Sequence, residues 1–400
     1  MRKFVDLFKQ EFEEKPLIVD FLLDIEQALK DSERLIGYRI DFDLESLMVV
    51  LEDVAKETGR PISPPTFAFT LNLLAKKEKT LNEYSIQSIR KRYETEAKEL
   101  LAQLQNFIFD KCIEPIKNGQ KNNSFLFLDL FYGPLFTLID SSIAGRGHSW
   151  IFTTNWDLCL KQWLEYSQIP FEDGTSQGTH RKTVLNPSTG WGVNTPQSAT
   201  KVVPLHGSFD LLNCKRLVSG KAYLEIEKVS KPEVYFEGKR SEISKAFIVY
   251  PLEAVGYDQT IKSPYLDMLT QLKKSLREEN RIFVIGFSFR DSIIASIFDE
   301  VVREKLEMGR GDDMKVMLID SNPKSVAENL KRQGYTNVAN VIIDAQVTFP
   351  DVLQYNTGKP EITQSMQAML AEIAERMDST NIHFSQTSTN QRLEKYGLRI

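Results

Sequence analysis

Four segments place small and polar residues directly after short apolar runs. SWIF is followed by Thr153, Thr154, Asn155, Trp156 and Asp157. VVPL is followed by His206, Gly207, Ser208 and Phe209. IFVI is followed by Gly286, Phe287, Ser288, Phe289, Arg290 and Asp291, and VMLI by Asp320, Ser321 and Asn322. Each run reads as a buried strand, and in open α/β sheets ligands bind beyond the carboxyl ends of the strands. Of the four histidines, His148, His180, His206 and His383, only His206 closes such a run. An imidazole there can accept a proton from a hydroxyl near neutral pH. Asn155 and Asp157 stand two residues apart and would face the same way in extended backbone. An amide can orient water or a hydroxyl, and a carboxylate can bind an amide or stabilise a developing cation.

Gly286 and Ser288 suit a phosphate. A glycine lets the backbone approach closely, and a following helix offers unpaired N–H groups and a favourable dipole. Asp320 ends a strand where an acidic residue often binds a ribose hydroxyl, and Asn322-Pro323 opens a helix. Plainer roles stand beside these. Ser288, Asp291, Asp157 and Asn322 can simply cap helices, and a lone histidine can be structural. The GRGH at 145–148 precedes a strand instead of following one, the wrong context for a dinucleotide fingerprint, and reads as a turn. Trp156, Trp163 and Trp191 read as packing residues.

The elements that would position these groups fall into two textures. Residues 1–145 place apolar residues at three- and four-residue spacing, as in PLIVDFLLDIEQAL and LESLMVVLEDVAKE, and read as helices. Ser85 to Ile116 is a long charged helix, and SFLFLDLFYGPLFTLIDSSI a more buried one. After Gly147, apolar strands (SWIFTT, KVVPL, KAFIVYP, RIFVIGF, KVMLID, NVANVIID) alternate with amphipathic helices. That alternation indicates a parallel sheet covered on both faces. Gly174 to Ala199, rich in Gly, Ser, Thr, Asn and Pro, reads as a long functional loop. The tail after Asp378 is polar.

Composition narrows the function. The 42% hydrophobic and 26% charged fractions are those of a globular protein. No run reaches the roughly 18 apolar residues of a membrane span, and the first residues have no signal-peptide core; membrane binding is not expected, and a cytoplasmic location is. The net charge of −5 is spread without a basic block. Lys76-Lys77 and Arg90-Lys91-Arg92 sit in helical sequence, so direct nucleic-acid binding is not expected. The three cysteines, Cys112, Cys159 and Cys214, stand far apart. They form neither a disulfide framework nor a four-cysteine zinc module, and no metal is expected.

Taken in order, TTNWD, LHGS, GFSFRD and IDSNP resemble the motif series of the sirtuin-like family over about residues 148–345. The resemblance implies an α/β fold with a doubly wound, mostly parallel, Rossmann-like sheet. It also implies NAD as substrate. Asn155 and His206 would be catalytic and Asp157 would line the nicotinamide pocket. Thr154, Gly207, Ser208, Gly286, Ser288, Asp291, Asp320 and Asn322 would contact the cofactor. Without zinc cysteines the chain looks more like the bacterial branch that destroys NAD in antiphage defence, which carries a helical insertion. Residues 1–147 would be that helical subdomain, 148–350 the NAD-binding core and 351–400 a C-terminal helix and tail. The expected activity is NAD glycohydrolysis. The alternatives are an NAD- or ADP-ribose-sensing or scaffold module and, less favoured, an NAD-dependent deacylase. Nothing before Phe152 resembles the family's opening strand and glycine loop. Either the natural chain starts upstream of Met1 or this member lacks the loop, and the helix-like MRKFVDLFKQEF favours the first. The helical half and TQSMQAMLAEIAERM suggest a homo-oligomer or a defence-system partner protein.

Overall fold

The computed structural model describes residues 16–37, 40, 42, 44–55, 63–76, 86–118, 149–156, 158–177, 183–186, 191, 200–218, 221–249, 263–310, 314–320 and 322–346. Asp157, the segment SFLFLDLFYGPLFTLIDSSI, the GRGH turn, MRKFVDLFKQEF, TQSMQAMLAEIAERM and the polar tail lie outside the described residues. The chain divides into two compact units. One gathers residues 1–112 and 206–263, the other residues 113–205 and 264–400.

The first unit begins with helices α1 (Pro16–Lys30), α2 (Ser32–Ile36), α3 (Leu44–Ala55), α4 (Pro64–Lys76) and α5 (Ile86–Asn118). In α1, Phe21, Ile25 and Leu29 repeat every four residues and are fully buried, the stripe that 3.6-residue periodicity predicts. Phe21 stacks on Tyr93 of α5 with ring centroids 5.1 Å apart and meets Phe69 of α4 edge-on at 5.6 Å. The start of α4 is held by buried Asp53, which accepts hydrogen bonds from Ser63 N, Ser63 Oγ and Thr66 Oγ1. The first satisfies a backbone N–H at the helix start, and the other two tie the Ser63 and Thr66 hydroxyls to the same carboxylate.

In the second unit, β1 (Trp150–Thr153), α6 (Cys159–Tyr166), β2 (Phe171–Glu172), β3 (Thr175–Gln177), β4 (Thr183–Leu185) and β5 (Thr200–Pro204) follow. β1, β5 and β2 form a parallel sheet in the order β1-β5-β2, with Thr153 opposite Pro204. Strand alternation sends Ile151 toward the core of Trp163, Leu164 and Val202. Trp150 and Phe152 stack on one another at 5.8 Å, and Lys201 lies 4.8 Å over the Trp150 ring. The stretch read as one long loop contains antiparallel β3 and β4, paired from Thr175–Leu185 to Gln177–Thr183.

The chain then returns to the first unit with β6 (Gly207–Val218), β7 (Lys221–Lys228), the short helix α7 (Pro232–Tyr235), a 3₁₀ turn (Arg240–Lys245) and β8 (Ala246–Ile248). These strands are antiparallel, β6 pairing with both β7 and β8. The expectation that KAFIVYP adds to a parallel sheet is thereby corrected. DLLNCKRLV and KAYLEIEK flank a Ser-Gly pair, a spacing that suits a hairpin. Phe109 of α5 packs edge-on against Phe209 of β6 at 5.4 Å and against Phe236 at 4.9 Å.

The remaining elements are α8 (Tyr265–Glu278), β9 (Arg281–Ile285), α9 (Ser292–Glu307), β10 (Lys315–Asp320), α10 (Pro323–Arg332), α11 (Thr336–Val341) and β11 (Ile342–Gln346). They form a second parallel sheet, β11-β10-β9, in the second unit. Val316, Met317, Leu318 and Ile319 of central β10 are fully buried, as expected of a parallel strand covered on both faces. NVANV, read as part of the last strand, is helical, and the strand begins only at Ile342. The helix holds because Asp299 accepts hydrogen bonds from Val338 N and Asn337 Nδ2. The chain is therefore an α/β protein with parallel sheets in one unit and helices with an antiparallel sheet in the other.

Candidate functional site

In the second unit, β9 and β10 run parallel and in register up to Ile285 opposite Ile319. The next residues, Gly286 and Asp320, thus stand side by side at the carboxyl edge, Asp320 as the last residue of β10. Gly286 N donates to Ile319 O at 2.9 Å. Gly286 has φ +63°, and nothing lies within 4 Å of where a Cβ would sit. A positive φ explains why glycine is favoured here, and the open side leaves the backbone approachable.

Phe289 also has a positive φ, +54°. Unlike Asn or Asp, phenylalanine has no side-chain group to stabilise the left-handed region, which costs it about 1–2 kcal/mol. Its ring is 1% exposed, 4.9 Å from the Phe287 ring and edge-on to Phe298 at 5.2 Å. Burying a phenylalanine side chain stabilises by about 1.5–3 kcal/mol, so packing outweighs backbone strain. Nothing local in GFSFRD announces this conformation. Ser288 lies between the two left-handed residues and is half-buried.

Asp291 is buried and caps α9, its Oδ1 accepting from Ile293 N at 2.9 Å and Ile294 N at 3.0 Å. The helix N-terminus expected to offer unpaired N–H groups therefore has two of them already engaged. Burial, and then the Asp291 charge, push the neighbouring Tyr265 phenol above its ordinary range. Asp320 Oδ1 accepts from Asn322 N at 2.8 Å, and Asn322 Oδ1 caps α10 through Ser325 N at 3.3 Å. Pro323 occupies the first turn of α10, where its missing N–H costs nothing.

At the end of β1 the chain turns. Asn155 N donates to Thr153 Oγ1 at 3.1 Å, and Asn155 is exposed while Thr154 is half-buried. Thr153 O accepts from Leu205 N at 2.8 Å, so the end of β1 is tied to the residue that precedes His206. Nearby, Lys161 and Asp173 form a buried ion pair at 3.6 Å, which no local sequence pattern marks. Asp173 also accepts from Thr175 Oγ1 at 2.6 Å, a network that anchors α6 to the segment after β2.

His206, Gly207 and Ser208 belong to the first unit. His206 is 4% exposed, and its carbonyl accepts from Val249 N at 2.8 Å. It stands in the turn after β5, one residue before β6 begins. Gly207 has φ +81°, and a Cβ there would fall 1.8 Å from Phe247 O. Ser208 is 1% exposed, and its Oγ has no hydrogen-bond partner among the described residues. A buried hydroxyl without a partner costs about 1–3 kcal/mol, and a ligand oxygen is one way to satisfy it.

Among the described residues, no group of three or more His, Cys, Asp or Glu is arranged to hold a metal ion, and no helix is long and apolar enough to cross a membrane. Residues 149–338 match the model of the SIR2-like domain. No curated protein matches the chain.

Proposed function

With a SIR2-like domain over residues 149–338, the chain is sirtuin-like, and from that premise we propose that it binds NAD and hydrolyses it to ADP-ribose and nicotinamide. The observation that carries the NAD reading is the parallel β9–β10 edge, where approachable Gly286 stands beside Asp320. That is the strand-end position at which open α/β folds take dinucleotides. In this reading residues 148–350 hold a doubly wound Rossmann-like core, built from the parallel strands of the second unit. Residues 1–147 are a helical subdomain, and 351–400 are a C-terminal helix and polar tail.

Gly286 and Ser288 contact the diphosphate, with Asp291 bordering it, and Asp320 and Asn322 contact the adenosine ribose. Thr154, Gly207 and Ser208 contact the nicotinamide half, with the Ser208 hydroxyl supplying a hydrogen bond. Asp157 binds the nicotinamide amide and stabilises positive charge. His206 accepts a proton from a ribose hydroxyl, and Asn155 orients the attacking water. The bond between ribose C1′ and the pyridinium nitrogen breaks, and its electron pair leaves with nicotinamide. Water adds to the oxocarbenium-like C1′ and loses a proton, giving ADP-ribose. The reaction consumes one water and releases one proton. The cellular role proposed is NAD depletion in the cytoplasm during antiphage defence, as a homo-oligomer or with a defence partner.

Purified chain incubated with NAD should release nicotinamide. Asn155→Ala and His206→Ala should each lower turnover by about 10²-fold or more. Full activity in both variants would remove these roles. Calorimetric binding of NAD without turnover would make the protein a sensor instead.

A further inference from the structure

The connection from β9 to α9 contains two left-handed residues, and only one of them is glycine. Gly286 is exposed, with open space on its Cβ side. Phe289 is fully buried, its ring held between Phe287 and Phe298, and α9 begins three residues later under the Asp291 cap. Glycine at 289 would adopt the same φ without strain. What glycine lacks is the ring, which locks the path of the backbone to the first turn of α9.

We infer that Phe289 is a positioning residue: its buried ring holds the Gly286–Ser288 backbone in the shape that receives the ligand, without touching the ligand itself. The ligand's identity rests on the NAD reading above; the positioning does not. The loop reverses hand at Gly286 and again at Phe289, so Ser288 is fixed from both sides. Phe298 lies two turns into α9, and the Phe289–Phe298 contact ties the loop to the helix body. Free of that tie, the loop between the Gly286–Ile319 hydrogen bond and the Asp291 cap loses the packing that joins it to the helix body.

The test compares the full chain with Phe289→Gly and Phe289→Leu by peptide-level hydrogen exchange and by NAD titration. Phe289→Gly should speed exchange over 286–291 while the interior of α9 stays protected. Its NAD dissociation constant should rise on the order of tenfold or more, since small displacements of positioning groups carry large effects. The turnover number at saturating NAD should change by much less, and Phe289→Leu should lie between. An unchanged dissociation constant in a variant with a loosened loop overturns the inference. Loss of protection throughout α9 also overturns it, because Phe289 is then an ordinary core residue. If the wild-type chain binds no NAD, the NAD reading fails, and exchange over 286–291 alone decides the positioning. Should Phe289→Gly not fold, Phe289→Leu is judged by the same outcomes.

Discussion

Gly207→Ala tests how the His206 segment is held. Two costs add at this position. Alanine at φ +81° enters the left-handed region, at about 1–2 kcal/mol. The new methyl would also sit 1.8 Å from Phe247 O and 2.7 Å from Phe247 C, where ordinary contact needs at least 3.4 Å. The obstacle is backbone, so no side chain can swing aside; β8 must retreat by well over an ångström. That retreat breaks the Val249 N to His206 O bond and disturbs the Gly207–Ile248 pair. A buried hydrogen bond left half-made costs about 1–3 kcal/mol. The expected loss is therefore about 2–5 kcal/mol, a large share of the roughly 5–15 kcal/mol that keeps a domain folded. Urea unfolding of wild type and variant measures it. Gly207→Asn separates the two causes: asparagine tolerates a positive φ but keeps the clashing Cβ, so it should be nearly as damaging. A loss below about 1 kcal/mol in the alanine variant, an ordinary substitution effect, would refute the close approach.

Two further perturbations test the second unit's helix cap and the first unit's polar contacts. Asp291→Ala should cost about 1 kcal/mol, the usual worth of an N-cap, whereas Asp291→Asn should retain most of that stability; equal losses would show that the charge, not the cap, matters. The hydrogen bond to Glu242, followed by burial, pushes the Tyr235 phenol from its ordinary 10.0 up to about 12, while the same bond holds the Glu242 carboxyl below its ordinary 4.5. Because the phenol's folded value is raised, its contribution is complete below about pH 10 and is lost as pH climbs toward about 12. Because the carboxyl's folded value is lowered, its contribution is present above the ordinary value and fades as pH falls through the depressed one. Unfolding midpoints of wild type and Tyr235→Phe should thus differ most at intermediate pH and converge at both extremes; a constant gap across pH contradicts the pairing.

Central strands with continuous apolar runs were the most legible elements. VMLI reads as a strand buried on both faces, and β10 is one. The cap residues Asp291 and Asn322 were legible as caps for the same local reason. β6 and β7 carried a readable hairpin pattern, but short apolar runs such as VVPL and AFIV drew the reading toward one parallel series. β3 and β4 are three residues each, too short to show periodicity in polar sequence. The grouping of residues 206–263 with 1–112 rests on long-range contacts such as Phe109 with Phe209. Those have no local signature, since the partners lie about a hundred residues apart. Phe289 was illegible in a different way. A left-handed phenylalanine is sustained only by what its ring meets in three dimensions.

At Asp291 the plain and the chemical readings compete; at Asp320 they need not. Asp291 caps α9 through one oxygen, and that engages the N–H groups of Ile293 and Ile294. An anion at this end of α9 would have to displace the cap to reach those donors. The helix end is thus a poorer anchor than its position suggested, and the weight moves upstream to the turn at Gly286–Ser288, where the backbone is approachable on the Gly286 side. Asp320 differs again. Its Oδ1 fixes the turn to Asn322, which orients the carboxylate at the strand end beside Gly286. Capping and turn bonds hold these side chains in one rotamer each, and a group held in one rotamer loses less entropy when it meets a ligand. At Asp320, local structure that looks like an alternative to binding is therefore what would prepare the edge for it.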